Sequence, residues 1–201
     1  MDFFLQSHRD KQLRKQRIKD FIGSIFTKPS GNETINFNLE IGCGHGHWLT
    51  SYAENEPSNN FIGVDLITKR IEKAISKATK RNLKNIFFIK ADAIEFLSCL
   101  PKYIRVDNCY IMYPDPWPKK KHHKRRLVQK EFLQILAESA SEKAQLFFMT
   151  DHQQYFEWAK SEILNSNSWT IHNNEWPHHA NSYFSNILPK NQFLCALRLL
   201  A

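Results

Sequence analysis

The segment Ile35–Gly46, INFNLEIGCGHG, joins a short apolar strand, Ile35–Ile41, to a loop with three closely spaced glycines. Because glycine has no Cβ, Gly42, Gly44 and Gly46 let the backbone turn tightly and approach a ligand. Their GxGxG spacing differs from the GxGxxG pattern of dinucleotide-binding folds. A glycine loop alone is often only a turn, so the elements that follow decide what this one means.

Strand-like and helix-like segments alternate through the rest of the chain. Further strands are predicted at 61–65, 86–89, 109–113 and 146–149, with strand-like pieces around 169–172 and 193–200. Helices are predicted between the strands, around 48–53 and 67–78 and over 94–100, 127–140 and 153–164. In the second of these helices, the predicted apolar face is Ile67, Ile71, Ile75 and Ala78. This alternation predicts an α/β fold, in which a mostly parallel sheet has helices on both faces.

Composition and length indicate one folded domain. The chain has 201 residues, of which 42% are hydrophobic, and this is ample for a buried core. Residues 1–30 are predicted to form a basic helical extension and residues 31–201 the domain itself. No apolar run reaches the ~18 residues of a membrane span, and the N-terminus lacks a signal-peptide core.

The four cysteines lie far apart and form no CxxC pair, which is typical of thiols in a reducing cytoplasm. The histidine pairs, including 45/47 and 122–123, do not match a closed metal site. We therefore expect a cytoplasmic protein that needs neither a membrane nor a metal ion.

Positive charge is concentrated in three stretches. The net charge of +8 suggests a polyanionic partner. Residues 9–19 and 69–90 carry six and eight basic residues, and both stretches are expected to be solvated helix faces. In the third stretch, 119–126, six of eight residues are Lys or Arg. These six charges repel each other, and bound phosphates would relieve that repulsion.

Acidic residues stand at the ends of successive predicted strands, where ligands bind in parallel sheets. Glu40 precedes the glycine loop, Asp65 ends the second strand, and Asp92 with Ala93 follows the third. Asp65 could accept both hydroxyls of a ribose, and the Asp92–Ala93 pair could face an adenine edge. An Asp after a strand is often only a helix cap. As an ordered set, however, these residues predict an adenosine-containing ligand.

The fourth predicted strand leads into PDPWP, residues 114–118, directly before the third basic stretch. Its prolines stiffen the loop around Asp115. Trp117 could stack on a nucleic-acid base, or it could pack under the loop. The segment therefore places one carboxylate and one aromatic ring beside a dense group of cations.

These motifs resemble those of two known groups of proteins. Glu40-x-Gly42-x-Gly44-x-Gly46, with Asp65 and Asp92, resembles the S-adenosylmethionine site of class I methyltransferases. The block 114–126, PDPWPKKKHHKRR, with Thr150-Asp151, resembles the bacterial tRNA (guanine-N7-)-methyltransferases of the TrmB family. The similarity runs from about residue 38 to about residue 165.

The resemblance implies a seven-stranded sheet with an antiparallel last strand. It also implies methyl transfer from S-adenosylmethionine to N7 of a guanine in the variable loop of tRNA, with Asp115 as catalytic residue. The implied cofactor contacts are Glu40, Gly42, Gly44, Asp65, Asp92, Ala93 and Asp115. The implied substrate contacts are Lys119 and Asp151, and the expected tRNA phosphate contacts are Lys120, Lys121, Lys124, Arg125 and Arg126.

One segment departs from the family pattern. Ser182-Tyr183-Phe184-Ser185 stands where the family has a Thr-basic-Phe-Glu motif, so these four residues are predicted to bind substrate with an altered grip. This keeps open a tRNA-binding homologue with altered or lost activity, and an N-methyltransferase for another substrate. The missing GxGxxG disfavours an NAD-dependent oxidoreductase. The chain is expected to be a monomer or a homodimer.

Overall fold

A computed structural model describes residues 2–178 and 192–199, with side chains described from residue 9 onward. Seven strands form one sheet. They are β1 Ile35–Ile41, β2 Phe61–Asp65, β3 Ile86–Lys90, β4 Ile104–Met112, β5 Ala140–Thr150, β6 Trp169–His172 and β7 Gln192–Arg198. The helices are α1 Asp2–Ile25, α2 His47–Asn55, α3 Thr68–Lys80, α4 Ala93–Leu97, α5 Lys130–Ser139 and α6 Gln153–Leu164, with a 3-10 helix at Lys120–Arg125.

The strand order is β3-β2-β1-β4-β5-β7-β6. Strands β1 to β5 pair in parallel, whereas β7 runs antiparallel to both β5 and β6. The predicted α/β architecture with an antiparallel last strand is therefore confirmed. The order reverses between β1 and β4, and a crevice opens at such a switch point beyond the carboxyl ends of the strands.

The two faces of the sheet bury different side chains because successive residues of a strand point to opposite faces. Leu39 and Ile41 pack in the larger core, which also contains Phe132 and Phe148. The opposite face carries an aromatic core that includes Trp48, Tyr110, Phe147 and Trp176. Glu40 lies between Leu39 and Ile41 on β1, so its side chain belongs to the aromatic face.

The predicted bounds of β1, β2 and α6 are confirmed, whereas β4 and β5 begin earlier than predicted. β4 starts at Ile104 and β5 at Ala140, so the structure extends both strands toward their amino ends. Their first halves include polar residues such as Asp107 and Glu142. These halves therefore lack the continuous apolar run from which the strands were predicted. The pairing between β4 and β5 also shifts register between Val106 and Asn108.

The apolar face predicted for α3 is partly wrong. Its buried residues are Ile71, Ala74 and Ala78, whereas Ile67 and Ile75 are 45% and 46% exposed. Ile67 precedes the helix as its N-cap residue. Ala74 lies within the side that packs on β3, and the predicted face was therefore rotated about the helix axis.

The C-terminal half of α1 belongs to the core. Ile18 and Ile22 are each 2% exposed, and Phe26 is also buried. Arg14 lies farther toward the N-terminus, and its guanidinium donates to Glu95 in α4 at 2.9 Å and 2.7 Å. The boundary between residues 1–30 and 31–201 stays a prediction, although α1 packs directly on the domain. Within the described part of the chain, no helix is long and apolar enough to cross a membrane.

Gly63 in β2 provides a test of this packing. A Cβ at this position would lie 2.5 Å from Cδ1 of Phe88 and 2.9 Å from Sγ of Cys43. We expect Gly63→Ala to lower the free energy of unfolding by about 1–3 kcal/mol, because the neighbours must move. Gly23→Ala is the matched control, since Gly23 is helical and a Cβ there would have no described atom within 4 Å outside its own helix backbone. It should raise stability by about 0.5–1 kcal/mol. Urea unfolding shows whether each substitution raises or lowers the free energy of unfolding. An unchanged free energy of unfolding in Gly63→Ala would contradict the packing described.

Candidate active site

A cavity of about 410 Å³ opens at the carboxyl ends of β1 to β4. It brings together five of the predicted cofactor residues, namely Gly42, Asp65, Asp92, Ala93 and Asp115. A wider groove of about 950 Å³ lies at the amino ends of β1, β4 and β5 and contains none of the predicted site residues. The smaller cavity is therefore the candidate site.

The glycine loop needs its glycines for their backbone angles. Gly42, Gly44 and Gly46 have φ values of +76°, +55° and +65°, which side chains with a Cβ rarely adopt. A Cβ at Gly46 would also lie 2.8 Å from both Ala74 and Phe88. A Cβ at Gly42 or Gly44 would have no described atom within 4 Å, so the loop leaves open space on that side.

Asp65 ties the glycine loop to the loop after β2. Its Oδ2 accepts from the backbone N–H of Gly44 at 3.0 Å, and its Oδ1 accepts from that of Ile67 at 2.8 Å. The Arg70 guanidinium lies 3.5 Å from Oδ2. An ionised carboxylate has about four lone-pair sites, so a buried Asp65 at the cavity wall can still accept from ligand hydroxyls.

Glu40 is buried next to this arrangement without a partner for one of its oxygens. The residue is 4% exposed, and its Oε2 has no hydrogen-bond partner among the described residues. In the sheet it lies between Gly63 of β2 and Tyr110 of β4. Burial, and then the negative charge of Asp65, raise the pKa of Glu40 to about 8. A cation placed beside Oε2 would therefore be strongly favoured.

Asp92 is both a helix cap and a cavity residue. Its Oδ1 accepts from the backbone N–H groups of Ile94 at 2.9 Å and Glu95 at 3.0 Å, which caps α4. The same residue lines the cavity and is exposed there. The two interpretations of Asp92 from the sequence are thus compatible, because Oδ2 remains available to a ligand.

The loop after β4 holds Asp115 in a strained backbone. Tyr113 and Trp117 have φ values of +50° and +44°, and they bracket Pro114-Asp115-Pro116. Such left-handed residues cost on the order of 1–3 kcal/mol each and persist where surrounding contacts enforce them. One of these contacts is the backbone N–H of Tyr113, which donates to the carbonyl of Met149 at 2.8 Å.

Trp117 is half-buried in the cavity wall. The guanidinium of Arg125 lies 4.9 Å from its ring centroid, and His122 contacts the ring edge-on with centroids 5.9 Å apart. Trp117 therefore packs within the loop and also lines the cavity. Arg125 joins the same wall, which connects the basic stretch to the site.

The prediction that Arg126 contacts a tRNA phosphate is wrong. Arg126 is 2% exposed, and its Nε donates to the carbonyl of Pro116 at 2.9 Å. The guanidinium also lies over the rings of Tyr155 and Trp158, at 5.0 Å and 5.2 Å from their centroids. A guanidinium buried between two α6 rings cannot reach a phosphate in solvent. The other predicted phosphate contacts are exposed, namely Lys120, Lys121, Lys124 and Arg125.

Some predicted site residues lie outside the cavity wall. Glu40 lies in β1 before the glycine loop, Gly44 lies within that loop, and Lys119 and Asp151 are exposed beyond the strand ends. Ser182, Tyr183, Phe184 and Ser185 lie outside the described residues. Within the described ranges, no group of three or more His, Cys, Asp or Glu side chains could hold a metal ion.

Two polar wall residues were missed by the sequence reasoning. Arg70 lies in the first turn of α3, and Tyr113 directly follows β4. Tyr113 could have been found from its place at a strand end. For Arg70 the only signal was a basic residue five positions after Asp65, which is weak in a helix rich in lysine.

The raised pKa of Glu40 predicts how stability depends on pH. Because the pKa rises from 4.5 to about 8, the folded protein binds a proton that the unfolded chain releases between these values. This contribution to stability is complete below pH 4.5 and is lost as the pH rises through about 8. Glu40→Gln should therefore be more stable than wild type at pH 8.5, by about 1.4 kcal/mol for each unit of pKa shift. The difference should shrink toward pH 5.

Urea unfolding without ligand at pH 5, 6.5 and 8.5 measures this effect. Glu142→Gln is the control, because Glu142 is exposed and should leave the wild-type pH profile unchanged. Parallel profiles for wild type and Glu40→Gln would show that Glu40 is not a buried, partnerless acid.

Comparisons with known proteins agree with this geometry. A family model described as "Putative methyltransferase" matches residues 35–192. The tRNA (guanine-N(7)-)-methyltransferase of Wolbachia pipientis wMel is 34% identical over 166 residues, which are 77% of this chain and 75% of that protein. The enzyme of the same name from Mesomycoplasma hyopneumoniae strain J is 34% identical over 74% of this chain and 72% of its own length.

A solved structure of an antibiotic-related methyltransferase superimposes with a TM-score of 0.58 at 22% identity, covering 91% of this chain and 94% of the other. That likeness concerns the fold, which is the class I methyltransferase architecture seen here. The family is shown by the family-model match over residues 35–192 and by the 34% identity with relatives of which about three quarters is covered. On these grounds, the chain belongs to the bacterial tRNA (guanine-N7-)-methyltransferase family.

Proposed function

We propose that this protein transfers a methyl group from S-adenosylmethionine to N7 of a guanine in the variable loop of tRNA. The observation that carries the proposal is the convergence of Asp65, Asp92, Asp115 and Trp117 on one cavity. Exposed cations adjoin this cavity on the side of the Lys120–Arg125 helix, so a nucleic acid can reach it.

The residues present fit an adenosine cofactor that carries positive charge. Glu40, whose Oε2 has no described partner, would hold the amino group of the methionine part. Gly42 and Gly44 leave open space for close approach of the backbone, and Asp65 retains lone pairs for ribose hydroxyls. Asp92 and Ala93 would face the adenine edge. When bound, S-adenosylmethionine supplies an electrophilic methyl group on a positively charged sulfur.

The substrate side requires positioning more than proton transfer. N7 of guanine has an in-plane lone pair and no proton, so a strong general base is not needed. Asp115 can accept from the N1–H and N2–H₂ groups of the guanine and stabilise the positive charge that the purine acquires. Trp117 offers a ring for base stacking, worth ~1–3 kcal/mol. Alignment of this kind can lower a barrier by ~7–11 kcal/mol in the best cases.

The position of Asp115 is set before substrate arrives. Pro114 and Pro116 restrict the backbone, and the buried guanidinium of Arg126 holds the carbonyl of Pro116. A carboxylate held in this way needs little reorganisation as charge develops in the transition state. Lys119 and Asp151, exposed near the same strand ends, are proposed to contact the substrate outside the cavity.

The setting of the enzyme is also a proposal. Cys43, Cys99, Cys109 and Cys195 are all buried free thiols, which suits a reducing cytoplasm. Monomer and homodimer both stay predictions.

The direct test is incubation of the protein with methyl-labelled cofactor and total tRNA, followed by nucleoside analysis. We expect label in 7-methylguanosine. Label in a different nucleoside would favour an N-methyltransferase for another position, and tRNA binding without label would favour a homologue that has lost activity.

Asp115→Asn keeps the shape of the side chain and removes its charge. We expect methyl transfer under single-turnover conditions to fall by roughly 100-fold, as for other electrostatic groups at a reacting centre. Asp107→Asn is the control, because Asp107 lies on β4 in the groove at the opposite end of the strand. Binding of tRNA should persist in both variants. Turnover at the wild-type rate by Asp115→Asn would remove Asp115 from the chemistry.

The basic 3-10 helix should hold phosphates. If Lys120, Lys121 and Lys124 each contact one phosphate, replacing them with Gln should flatten the dependence of log K on log salt by ~0.7–0.9 per residue. Filter binding of tRNA over a range of KCl concentrations measures this slope. The control variant has Gln at three other exposed lysines that lie outside the cavity wall, Lys102, Lys143 and Lys160. An unaltered slope in the first variant would make this helix a solvated surface.

A further inference from the structure

The outer side of α3 is a second basic surface that the proposed reaction has not used. Ile71, Ala74 and Ala78 anchor the helix by its buried side. Besides Arg70, which lines the cavity, five cations project from the rest of the helix and its end, and we refer to these five as the α3 basic face: Lys69, Lys73, Lys77, Lys80 and Arg81. Glu72 is the only acid within the helix.

The charges of this face are poorly compensated. Arg81 pairs with Glu54 at 2.7 Å, whereas Lys69, Lys73 and Lys80 have no ion pair within 4.0 Å in the described part of the chain. Burial and the nearby Arg81 lower the pKa of Lys77 to about 8. A surface with this surplus of positive charge would be stabilised by a bound anion.

The face also has the shape of an oxyanion site. A shallow depression of about 340 Å³ lies on it, lined by Lys73, Ser76, Lys77, Lys80 and Arg81. Four of these residues are cations, one offers a hydroxyl, and none is acidic. Ammonium, guanidinium and hydroxyl donors suit the oxygens of a phosphate group.

The helix that carries the α3 basic face is joined to the cavity through its first turn and to the glycine loop through its last turn. Arg70 in the first turn lines the cavity, and the ammonium of Lys77 donates to the carbonyl of His45 in the glycine loop at 2.9 Å. With a rise of about 1.5 Å per residue, the helix extends roughly 15 Å from Arg70 to Lys80. The face therefore leads away from the mouth of the cavity.

The sheet order puts this face and the basic 3-10 helix on opposite sides. α3 follows β2, the 3-10 helix follows β4, and β1 lies between β2 and β4. A nucleic acid whose base enters the cavity between them has backbone leaving in two directions. A grip on one side alone would leave one of these directions unsupported.

We propose that the α3 basic face binds backbone phosphates of the same tRNA whose guanine enters the cavity. It thus forms a second grip, on the side of the cavity opposite the Lys120–Arg125 helix. The inference rests on the proposed function, since it takes tRNA as the substrate. Contacts of this kind position the RNA and carry no sequence information.

The test replaces Lys69, Lys73 and Lys80 with Gln, which has a similar helix propensity. These lysines are exposed, lie outside the cavity wall and make no described ion pair. Filter binding of total tRNA over a range of KCl concentrations should give a slope of log K against log salt that is flatter by about 2–3 if three contacts are lost. Affinity for S-adenosylhomocysteine, measured by calorimetry, should not change. The variant with Arg at all three positions should keep the wild-type slope.

The controls separate this inference from the proposed function. The Gln variant at Lys102, Lys143 and Lys160 loses the same net charge and should keep the wild-type slope. If wild type methylates tRNA but the α3 variant keeps its slope, or if both Gln variants flatten it equally, the second grip is overturned while the function stands. If wild type neither binds nor methylates tRNA, the proposed function fails and this inference fails with it.

Discussion

The carboxylate of Asp65 is the interaction on which the site depends most. By accepting from the backbone of Gly44 and of Ile67, it joins the loops after β1 and β2 into one rigid wall. This requires an acid that is only 5% exposed, and Glu40 is buried close to it. Burial first, and then the negative charge of Asp65, raise the pKa of Glu40. The glycine loop is thus held next to two buried acids, and Oε2 of Glu40, which has no described hydrogen-bond partner, favours a cationic ligand at this point.

A second buried charge supports the opposite wall. Arg126 donates to the carbonyl of Pro116 while its guanidinium lies over Tyr155 and Trp158 of α6. In this way α6 is linked to the loop whose left-handed residues, Tyr113 and Trp117, set the direction of Asp115. The strain in that loop is offset by burial and hydrogen bonding some distance from the cavity, as expected where a backbone is pre-organised for function.

The sequence was sufficient for the fold and for most of the cavity, for a physical reason. Parallel strands bring their carboxyl ends to one edge, so Asp65, Asp92 and Asp115 had to converge once the strands before them were recognised. It was insufficient for Arg126, which looks like its neighbours in a run of cations. Its burial depends on Tyr155 and Trp158, 29 and 32 residues later, which local pattern cannot reveal. The apolar side of α3 was partly misplaced because the exposed Ile67 and Ile75 share the helical spacing of Ile71, whereas the small side chain of Ala74 completes the buried side.

The separation of charge around the cavity follows the proposed reaction. Acids line or underlie the interior, where Arg70 and Arg125 also reach the wall, whereas exposed lysines occupy its two outer sides. Such an arrangement attracts a polyanion to the rim and a cation to the interior. Methylation at N7 leaves the positive charge on the purine, and Asp115 is the acid on the β4 side where that charge would arrive. The sign pattern that would hold a cationic cofactor would therefore also stabilise the methylated base, while phosphates would stay on the rim, where the cations are exposed to solvent and salt controls affinity.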